Sequence, residues 1–547
     1  MREKFVAGRR TKLLQLASQS NMGLYQLHRR FKPIGALAFL LVLLQVAAKP
    51  ATLQAPSVAS HQNWERLVTE AQQDVQAGRL PAAEKKLSEA LQLAKSFPPD
   101  DRRRVKTLRQ LAGVYHSEGK DALAWPLLQE ELTINQRTYG PADLHVAASL
   151  DALAGVFSSL GNYSEAETLY RKALGIKEQL LTPNHPSIVR TVESLAAVEA
   201  EAGKYSEAEQ LYQQAIQSEI QFFGPLHPGI AVPMDDLAAL EMEQAKYDSA
   251  ESLYEKALKI REQVYGPSHP RVANSLENLA ELYVTEGHYG KAEPLLEKAL
   301  AVRQKSLGDN QPEVGTTLGR LALLYADEGK YSQAEATARQ ALGLRQKVLP
   351  ADDPAIAESL NNLAFIYTKM GRDAKAEPLY RQSLEIMEKQ NGKDTPLFAA
   401  TLNNLGLIYA RQGKDDQAQP LFEEALKILR AALGPGRPEV ATTLTNLAES
   451  FAHVHQDARA EQLLRQALRI DVAALGSQHP AVATDYHNLA NSYAKEGKDA
   501  QAKALYKQAL AIQEKALGPQ HEDMAATLRD YAALQKKDSS TQLKSPH

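Results

Sequence analysis

The 547-residue chain contains no cysteine. This absence excludes disulfides, thiolate zinc sites, a cysteine nucleophile and a lipid-modified cysteine. The sequence also lacks HExxH, GxSxG and GxGxxG patterns. The Gly-Lys pairs at 119, 203, 329, 413 and 497 are each followed by Tyr or Asp rather than the Ser or Thr of a P-loop. His453 and His455 stand two residues apart on a helical stretch, so they point in different directions. We therefore predict no catalytic residues, no metal site and no cofactor.

Long apolar runs are scarce, and the main one is IGALAFLLVLLQVAA at 34–48. As a helix it would span about 22 Å at 1.5 Å per residue, which is less than the roughly 30 Å of a bilayer core. That length favours a secretory signal peptide with cleavage after Ala48. A start at Met22 would give this peptide ordinary proportions. An uncleaved anchor and an organellar presequence stay open as alternatives.

Charge is distributed unevenly around that run. Residues 1–33 hold eight Lys or Arg against one acid, Glu3, whereas the rest of the chain is net acidic. By the positive-inside rule the basic flank stays in the cytoplasm, so the body of the protein is expected outside it, either exported (periplasmic or extracellular) or membrane-anchored. An acidic body argues against nucleic acid as a partner. Any membrane contact would be made by segment 1–48, and 49–60 is predicted to be a linker.

Internal repetition dominates the remaining sequence. The pentapeptide GPSHP at 266–270 has counterparts GPLHP at 224–228 and GSQHP at 476–480, and the intervals are multiples of 42 residues. Ten units of this length fill 98–517 without insertion or deletion. Such a repeat indicates a solenoid in which each unit packs on its neighbours.

Each unit is predicted to be a helical hairpin. The fifth unit shows the helical spacing i, i+3, i+4, i+7 at Leu276, Leu279, Ala280 and Tyr283. A second stripe follows at Ala292, Leu296, Ala299 and Leu300. Gly287 separates the two helices, as a residue able to take positive φ. Atypical ends at 61–97 (a capping hairpin) and 518–537 (a capping helix) precede a polar tail, 538–547.

His269 of GPSHP precedes the first helix of its unit. The same position in other units holds the polar residues Asp101, Asp143, Gln311, Asp353, Thr395 and Arg437. No single chemistry uses these side chains interchangeably, and a polar residue before proline suits a helix start. We interpret His269 as a capping residue rather than a metal ligand.

The stretches SLNNLAFIYTKMGRDAKAEPLYRQSLEIMEKQ (359–390) and TLNNLGLIYARQGKDDQAQPLFEEALKIL (401–429) carry a family resemblance. Their pattern resembles the tetratricopeptide repeats of kinesin light chains and their bacterial relatives. The resemblance implies an all-α, right-handed superhelical solenoid. It implies no motor role here, because no heptad coiled coil precedes the repeats.

A concave wall built from the first helices would hold a ligand. Three groups of residues share its exposed face, at spacings that place them on one side of the helix. The first group holds one position of each helix and consists of Asn278, Arg320, Asn362, Asn404, Asn446 and Asn488. The second group lies about two helical turns later in its units and consists of Lys369, Arg411 and Lys495. An apolar strip is formed by Leu323, Phe365 and Leu407.

Asparagine can hold an extended peptide backbone, and lysine or arginine suits acidic side chains. The resemblance implies the same use of Asn362, Asn404, Asn446, Asn488, Lys369 and Arg411. We therefore predict a non-enzymatic interaction scaffold that binds an acidic peptide in units five to ten. Two alternatives stay open: the asparagines could instead bond a neighbouring helix, and the chain could be a structural or self-assembling spacer.

Overall fold

The computed structural model describes residues 58–391, 393–516 and 522–542. Contacts divide the chain into two units, 1–62 and 63–547, and the description below concerns the second. The predicted signal peptide or anchor, the basic segment and most of the linker lie outside the described residues. Across the described ranges, no helix is both long and apolar enough to cross a membrane.

The described secondary structure is helical, with one short 3₁₀ helix at Pro228–Ile230. The first helices are α1 Val58–Gln76, α2 Leu80–Ala94, α3 Arg102–Ser117, α4 Asp121–Tyr139, α5 Leu144–Ser159, α6 Tyr163–Leu180, α7 Pro186–Glu201, α8 Tyr205–Phe223, α9 Ala231–Glu243, α10 Tyr247–Tyr265, α11 Pro270–Thr285 and α12 Tyr289–Leu307. They continue with α13 Pro312–Asp327, α14 Tyr331–Val348, α15 Pro354–Lys369, α16 Asp373–Asn391, α17 Pro396–Arg411, α18 Asp415–Ala432, α19 Pro438–His453, α20 Asp457–Leu475, α21 Pro480–Lys495, α22 Asp499–Ala516 and α23 Glu522–Gln542.

The predicted all-α fold of tandem helical hairpins is confirmed. Two boundaries differ from the sequence prediction: α1 begins at Val58, inside the predicted linker, and α23 continues to Gln542, past the predicted end of the capping helix at 537. Each unit from the one beginning at residue 98 onward contributes an odd-numbered and then an even-numbered helix. Successive odd-numbered helices, such as α13 and α15, contact one another directly. This places the odd-numbered helices on the inner, concave side of the stack.

Local sequence signals fix the ends of these helices. Gly287 and its equivalents between paired helices have positive φ, and Ala245 and His455 take the same conformation at φ 55° and 59°. His269 Nδ1 accepts a hydrogen bond from the Arg271 N–H at 3.2 Å, so it caps α11 as predicted. His185 and His479 cap α7 and α21 in the same way. Their chemistry is structural, because each imidazole satisfies an N–H that the helix start would leave unpaired.

Small residues and ion pairs set the stacking. One alanine of each outer helix is fully or almost fully buried, at Ala166, Ala208, Ala250, Ala292, Ala334, Ala376, Ala418, Ala460 and Ala502. Lys120, Lys204, Lys330 and Lys498, which follow turn glycines, each pair with a glutamate of the preceding hairpin. Lys330 Nζ, for example, lies 2.9 Å from Glu293, and Lys498 Nζ lies 3.0 Å from Glu461. These lysines therefore help to orient neighbouring units.

A buried polar seam runs between units. One inner-helix position holds a buried hydroxyl in most units, at Thr107, Ser149, Thr191, Ser275, Thr317, Ser359, Thr401, Thr443 and Thr527. A cation from an outer helix meets it at several junctions: Arg261 Nη1 lies 2.5 Å from both Ser275 Oγ and Asp235 Oδ2. Lys177 bonds Thr191 and Asp151 in the equivalent way. Buried charge is tolerated here because each partner is hydrogen-bonded.

The junction of the last two full units breaks this pattern. Asp471 replaces the cation and Asp485 replaces the hydroxyl, and both are at least 95% buried. Burial raises the pKa of Asp471 to about 6, whereas burial and repulsion from Asp471 raise the pKa of Asp485 to about 8. One oxygen of each carboxyl group has no hydrogen-bond partner. This junction carries two acids, whereas the junctions of Lys177, Arg261 and Arg345 pair a cation with a buried hydroxyl.

Candidate peptide-binding groove

The structure places all twelve predicted groove residues on the inner helices. Asn278, Asn362, Asn404, Asn446 and Asn488 lie on α11, α15, α17, α19 and α21, and each is half-buried. Arg320 and Leu323 lie on α13, Phe365 and Lys369 on α15, Leu407 and Arg411 on α17, and Lys495 at the end of α21. They form one face because their helices stack side by side. Every inner helix from α11 to α21 contributes at least one of them.

The asparagine row is mostly without internal partners. Asn446 Nδ2 donates to Asn403 Oδ1 on the preceding inner helix at 3.0 Å. The side chains of Asn362, Asn404 and Asn488 have no hydrogen-bond partner among the described residues, and the same holds for Asn278. For Asn446 a stacking role is therefore visible, whereas the other four amides keep donors and acceptors available on the inner face.

The cations of this face differ in how far they are neutralised. Arg411 Nη2 lies 2.5 Å from Asp373 Oδ1, and Arg320 Nη1 lies 2.6 Å from Glu281 Oε2. Lys369 Nζ is 3.6 Å from Asp327 and 5.4 Å from the centre of the Phe365 ring. Asp327 occupies the helix position of Lys369 one unit earlier, whereas Asp373 approaches Arg411 from the outer helix α16 of the preceding unit.

Among the four predicted groove cations, Lys495 is the one without an ion-pair partner in the described part of the chain, and its side chain is exposed. It lines a cavity of about 140 Å³ between α19, α20 and α21, together with Asn488, Asn491 and Ser492. Glu449 and Asp457 lie on the opposite wall of the cavity. Amide, hydroxyl and ammonium donors thus converge at the last full unit, where they can meet a carboxylate or a peptide carbonyl.

The apolar strip is only partly covered. Leu323, Phe365 and Leu407 are each half-buried, so part of every side chain stays accessible beside the amide row. An extended chain places alternate side chains on opposite sides. The face therefore offers polar groups to the backbone of an extended peptide and a shallow apolar surface to every second side chain of that peptide.

A region further toward the amino terminus has the opposite charge. Burial, reinforced by nearby carboxylates, raises the pKa of Glu193 to about 7, and burial together with Asp235 raises the pKa of Asp236 to about 6. Both acids lie on inner helices, α7 and α9. The inner face thus carries these acids on α7 and α9 and the predicted groove cations from α13 onward.

Sequence reasoning missed Arg437, which stands at the capping position before α19. Its side chain caps nothing, is only 13% exposed, and reaches Ala200 and Glu201 of α7. A signal was present: most other units hold an acceptor at this position, whereas arginine can only donate. The partner could not be found from the sequence, because it is 237 residues away. No group of three or more His, Cys, Asp or Glu side chains in the described ranges is arranged to hold a metal ion.

Comparison with known proteins assigns the class. The tetratricopeptide repeat profile matches overlapping segments throughout residues 104–539, at 104–179, 153–218, 187–262, 229–305, 289–347, 313–389, 355–431, 397–471, 439–515 and 482–539. The chain belongs to the tetratricopeptide repeat family. Such repeats support a protein–protein interaction scaffold.

Solved structures with similar repeats come from several proteins. The putative kinesin light chain repeats of Podosopora anserina are 27% identical, with 38% of this chain and 97% of that chain covered and a TM-score of 0.33. BtubC (BKLC) from P. vanneervenii is 24% identical, covering 45% and 92%, with a TM-score of 0.34. A Rap protein complexed with Competence and Sporulation Factor is 16% identical, covering 68% and 99%, with a TM-score of 0.42. A search of curated proteins finds no match.

Proposed function

We propose that this protein is a non-enzymatic scaffold that binds an extended, acidic peptide segment along the inner face of units five to ten. The observation that carries the proposal is a row of half-buried asparagines that have no hydrogen-bond partner among the described residues, at Asn278, Asn362, Asn404 and Asn488. Unsatisfied amides cost free energy when they are covered by apolar groups and gain it when they bond a peptide backbone. The half-buried apolar strip beside them supplies contact area.

The cations define the expected chemistry of the bound segment. Lys495 has no ion-pair partner among the described residues. Lys369 has a long, exposed contact with Asp327 that a ligand carboxylate can replace. Because exposed ion pairs contribute little free energy, replacing Asp327 by a ligand carboxylate should cost little stability. Acidic side chains spaced along the peptide would therefore meet Lys369, Arg411 and Lys495 in turn.

The proposed location is outside the cytoplasm, either exported or anchored through residues 34–48. This part of the proposal rests on the short apolar run and its basic flank in the sequence. Fractionation of cells that express the tagged full chain, with mass spectrometry of its amino terminus, tests it. Recovery of the intact chain in the cytosol would contradict it.

The groove can be tested with a fluorescein-labelled peptide that alternates glutamate and leucine. Asn362→Ala combined with Asn404→Ala removes two amides that make no internal bond. We expect a loss of about 2 kcal/mol, at roughly 1 kcal/mol per hydrogen bond, which corresponds to roughly thirtyfold weaker binding in fluorescence anisotropy. The melting temperature should stay nearly unchanged.

A charge-reversal pair provides the second arm. Lys369→Glu with Arg411→Glu should abolish binding of the same peptide. The matched control is Lys427→Glu with Arg430→Glu, on the exposed face of outer helix α18. Equal losses in both pairs would indicate nonspecific attraction and contradict the groove.

A structural spacer is the second candidate. The observation that favours it is the pairing of Arg411 with Asp373 and of Arg320 with Glu281, since these contacts join adjacent units. Under this alternative the Asn362 and Asn404 substitutions, or the charge reversal, would lower the melting temperature without any peptide being bound. Sizing at increasing concentration would then show self-association.

A further inference from the structure

Arg437 forms a contact between two distant parts of the helix stack that the repeat pattern does not predict. Arg437, just before α19, donates from Nη1 to the carbonyl oxygen of Ala200 at 3.4 Å. Its Nη2 lies 3.9 Å from Glu201 Oε2, and its Nε lies 3.6 Å from Glu439 Oε2. Units whose sequences are widely separated are therefore in contact through a mostly buried guanidinium.

The position of this contact is electrostatically favourable. Ala200 and Glu201 form the last turn of α7, where the carbonyl groups have no partner within the helix and the helix dipole is negative. A cation placed there bonds a carbonyl and is attracted by the carboxylate beside it. The neighbouring acids Glu201, Glu243 and Glu439, with Tyr205, raise the pKa of Arg437 against the effect of its burial.

A second contact repeats the first one unit further on. His479 caps α21 through Nδ1, and its imidazole also interacts with the backbone of Glu243, at the end of α9. Burial lowers the pKa of His479, and this interaction opposes the shift. Glu243 follows Glu201 by one unit, just as His479 follows Arg437. The contact is thus a line between two edges of the stack.

A third contact lies on the other side of Arg437. Gly161, in the turn between α5 and α6, has φ +72°, and a Cβ placed on it would lie 2.6 Å from the carbonyl oxygen of Ala432. Only glycine permits this backbone approach. Three successive hairpin turns, at Gly161, Glu201 and Glu243, therefore meet two successive connections between units: Ala432 and Arg437 flank the first, and His479 belongs to the second. We name this line of contacts the clasp.

We propose that the clasp holds the second to fourth units against the eighth to tenth, and that Arg437 is its lock. While the clasp is closed, sideways entry to the inner face of the units between is blocked along this line of contacts. A peptide with free ends can reach that face along the groove, whereas a segment fixed at both ends in a folded partner requires the clasp to open. This consequence for a partner rests on the proposed function; the clasp itself does not.

Charge reversal and charge exchange test the clasp without any ligand. Arg437→Glu places a fourth carboxylate beside Glu201, Glu243 and Glu439, so we expect a larger radius of gyration and maximum dimension in small-angle X-ray scattering of the full chain. Exchanging the charges, with Arg437→Glu and Glu201→Arg together, should recover most of the compaction. Arg430→Glu, the same change on an exposed outer-helix residue, should leave the dimensions as in the wild type.

Helical content by circular dichroism separates opening from unfolding. If Arg437→Glu loses helix, the milder pair Glu201→Gln with Glu243→Gln is measured instead. This pair removes two negative charges that attract Arg437, and it should give a smaller expansion. Dimensions equal to the wild type in both variants, or an exchanged pair as extended as Arg437→Glu alone, would overturn the clasp.

The consequence for partners has its own readout. The glutamate–leucine peptide is compared with the same sequence inserted between two folded carrier proteins. With Arg437→Glu the association rate of the inserted form should increase at least tenfold while that of the free peptide changes little. If Arg437→Glu leaves the ratio of the two association rates unchanged, the proposal that the clasp restricts access to the groove is overturned. Failure of the free peptide to bind the wild type would instead count against the proposed function, and the scattering result would still decide the clasp.

Discussion

Replacing Asp485 by threonine should stabilise the protein, and more so at alkaline than at acidic pH. The equivalent residue is a buried Ser or Thr in most other units. A threonine side chain should therefore fit at position 485. A threonine hydroxyl could donate to Asp471, as Thr317 Oγ1 donates to Glu277 at 2.5 Å. The substitution also removes the repulsion between two buried carboxyl groups.

The magnitude follows from proton linkage. The pKa of Asp485 is raised from 3.8 to about 8 by burial and by Asp471, so the folded state holds a proton that the unfolded state releases above about pH 4. Stability therefore falls as pH rises, by about 1.4 kcal/mol per pH unit for one proton. Between pH 5 and pH 8 the wild type should lose on the order of 4 kcal/mol that the variant keeps.

Chemical denaturation at pH 5 and pH 8, followed by circular dichroism, measures this difference. Asp309→Thr, the same change at an exposed position, is the control and should show the wild-type pH dependence. The reasoning is refuted if Asp485→Thr retains the wild-type difference between the two pH values, or if the variant is less stable than the wild type at pH 8.

Two smaller predictions concern the ends of helices. His455 has φ 59° in a turn where most units have glycine, so His455→Gly should raise stability by about 1 kcal/mol in thermal melts; Gly329→Ala, the reverse change, should lower it, and a stabilised Gly329→Ala would contradict the argument. His269→Ala removes the acceptor that caps α11 and should cost about 1 kcal/mol, whereas His269→Asp should preserve stability; an effect of added chelator on the wild-type melting curve would instead indicate a metal role.

Much of the groove was predictable because its residues repeat at one helix position. Asn362, Asn404 and Asn488 occupy the same place in their units, and equal spacing on stacked helices puts them on one face. The spacing also places Asp327 beside Lys369, because Asp327 occupies the same helix position one unit earlier. It does not reveal Asp373, which reaches Arg411 from an outer helix of the preceding unit, so this contact depends on how two units pack.

The sequence by itself determined the helical hairpins, the caps and the turn glycines, because these depend on residues within a few positions of one another. Apolar residues at helical spacing, a polar residue before proline and a glycine at positive φ each act locally. Only the tertiary structure decided that Arg437 meets Glu201 and that Asp471 faces Asp485. Small rotations between units accumulate along the stack, and their sum, which no single unit encodes, sets which distant turns come into contact.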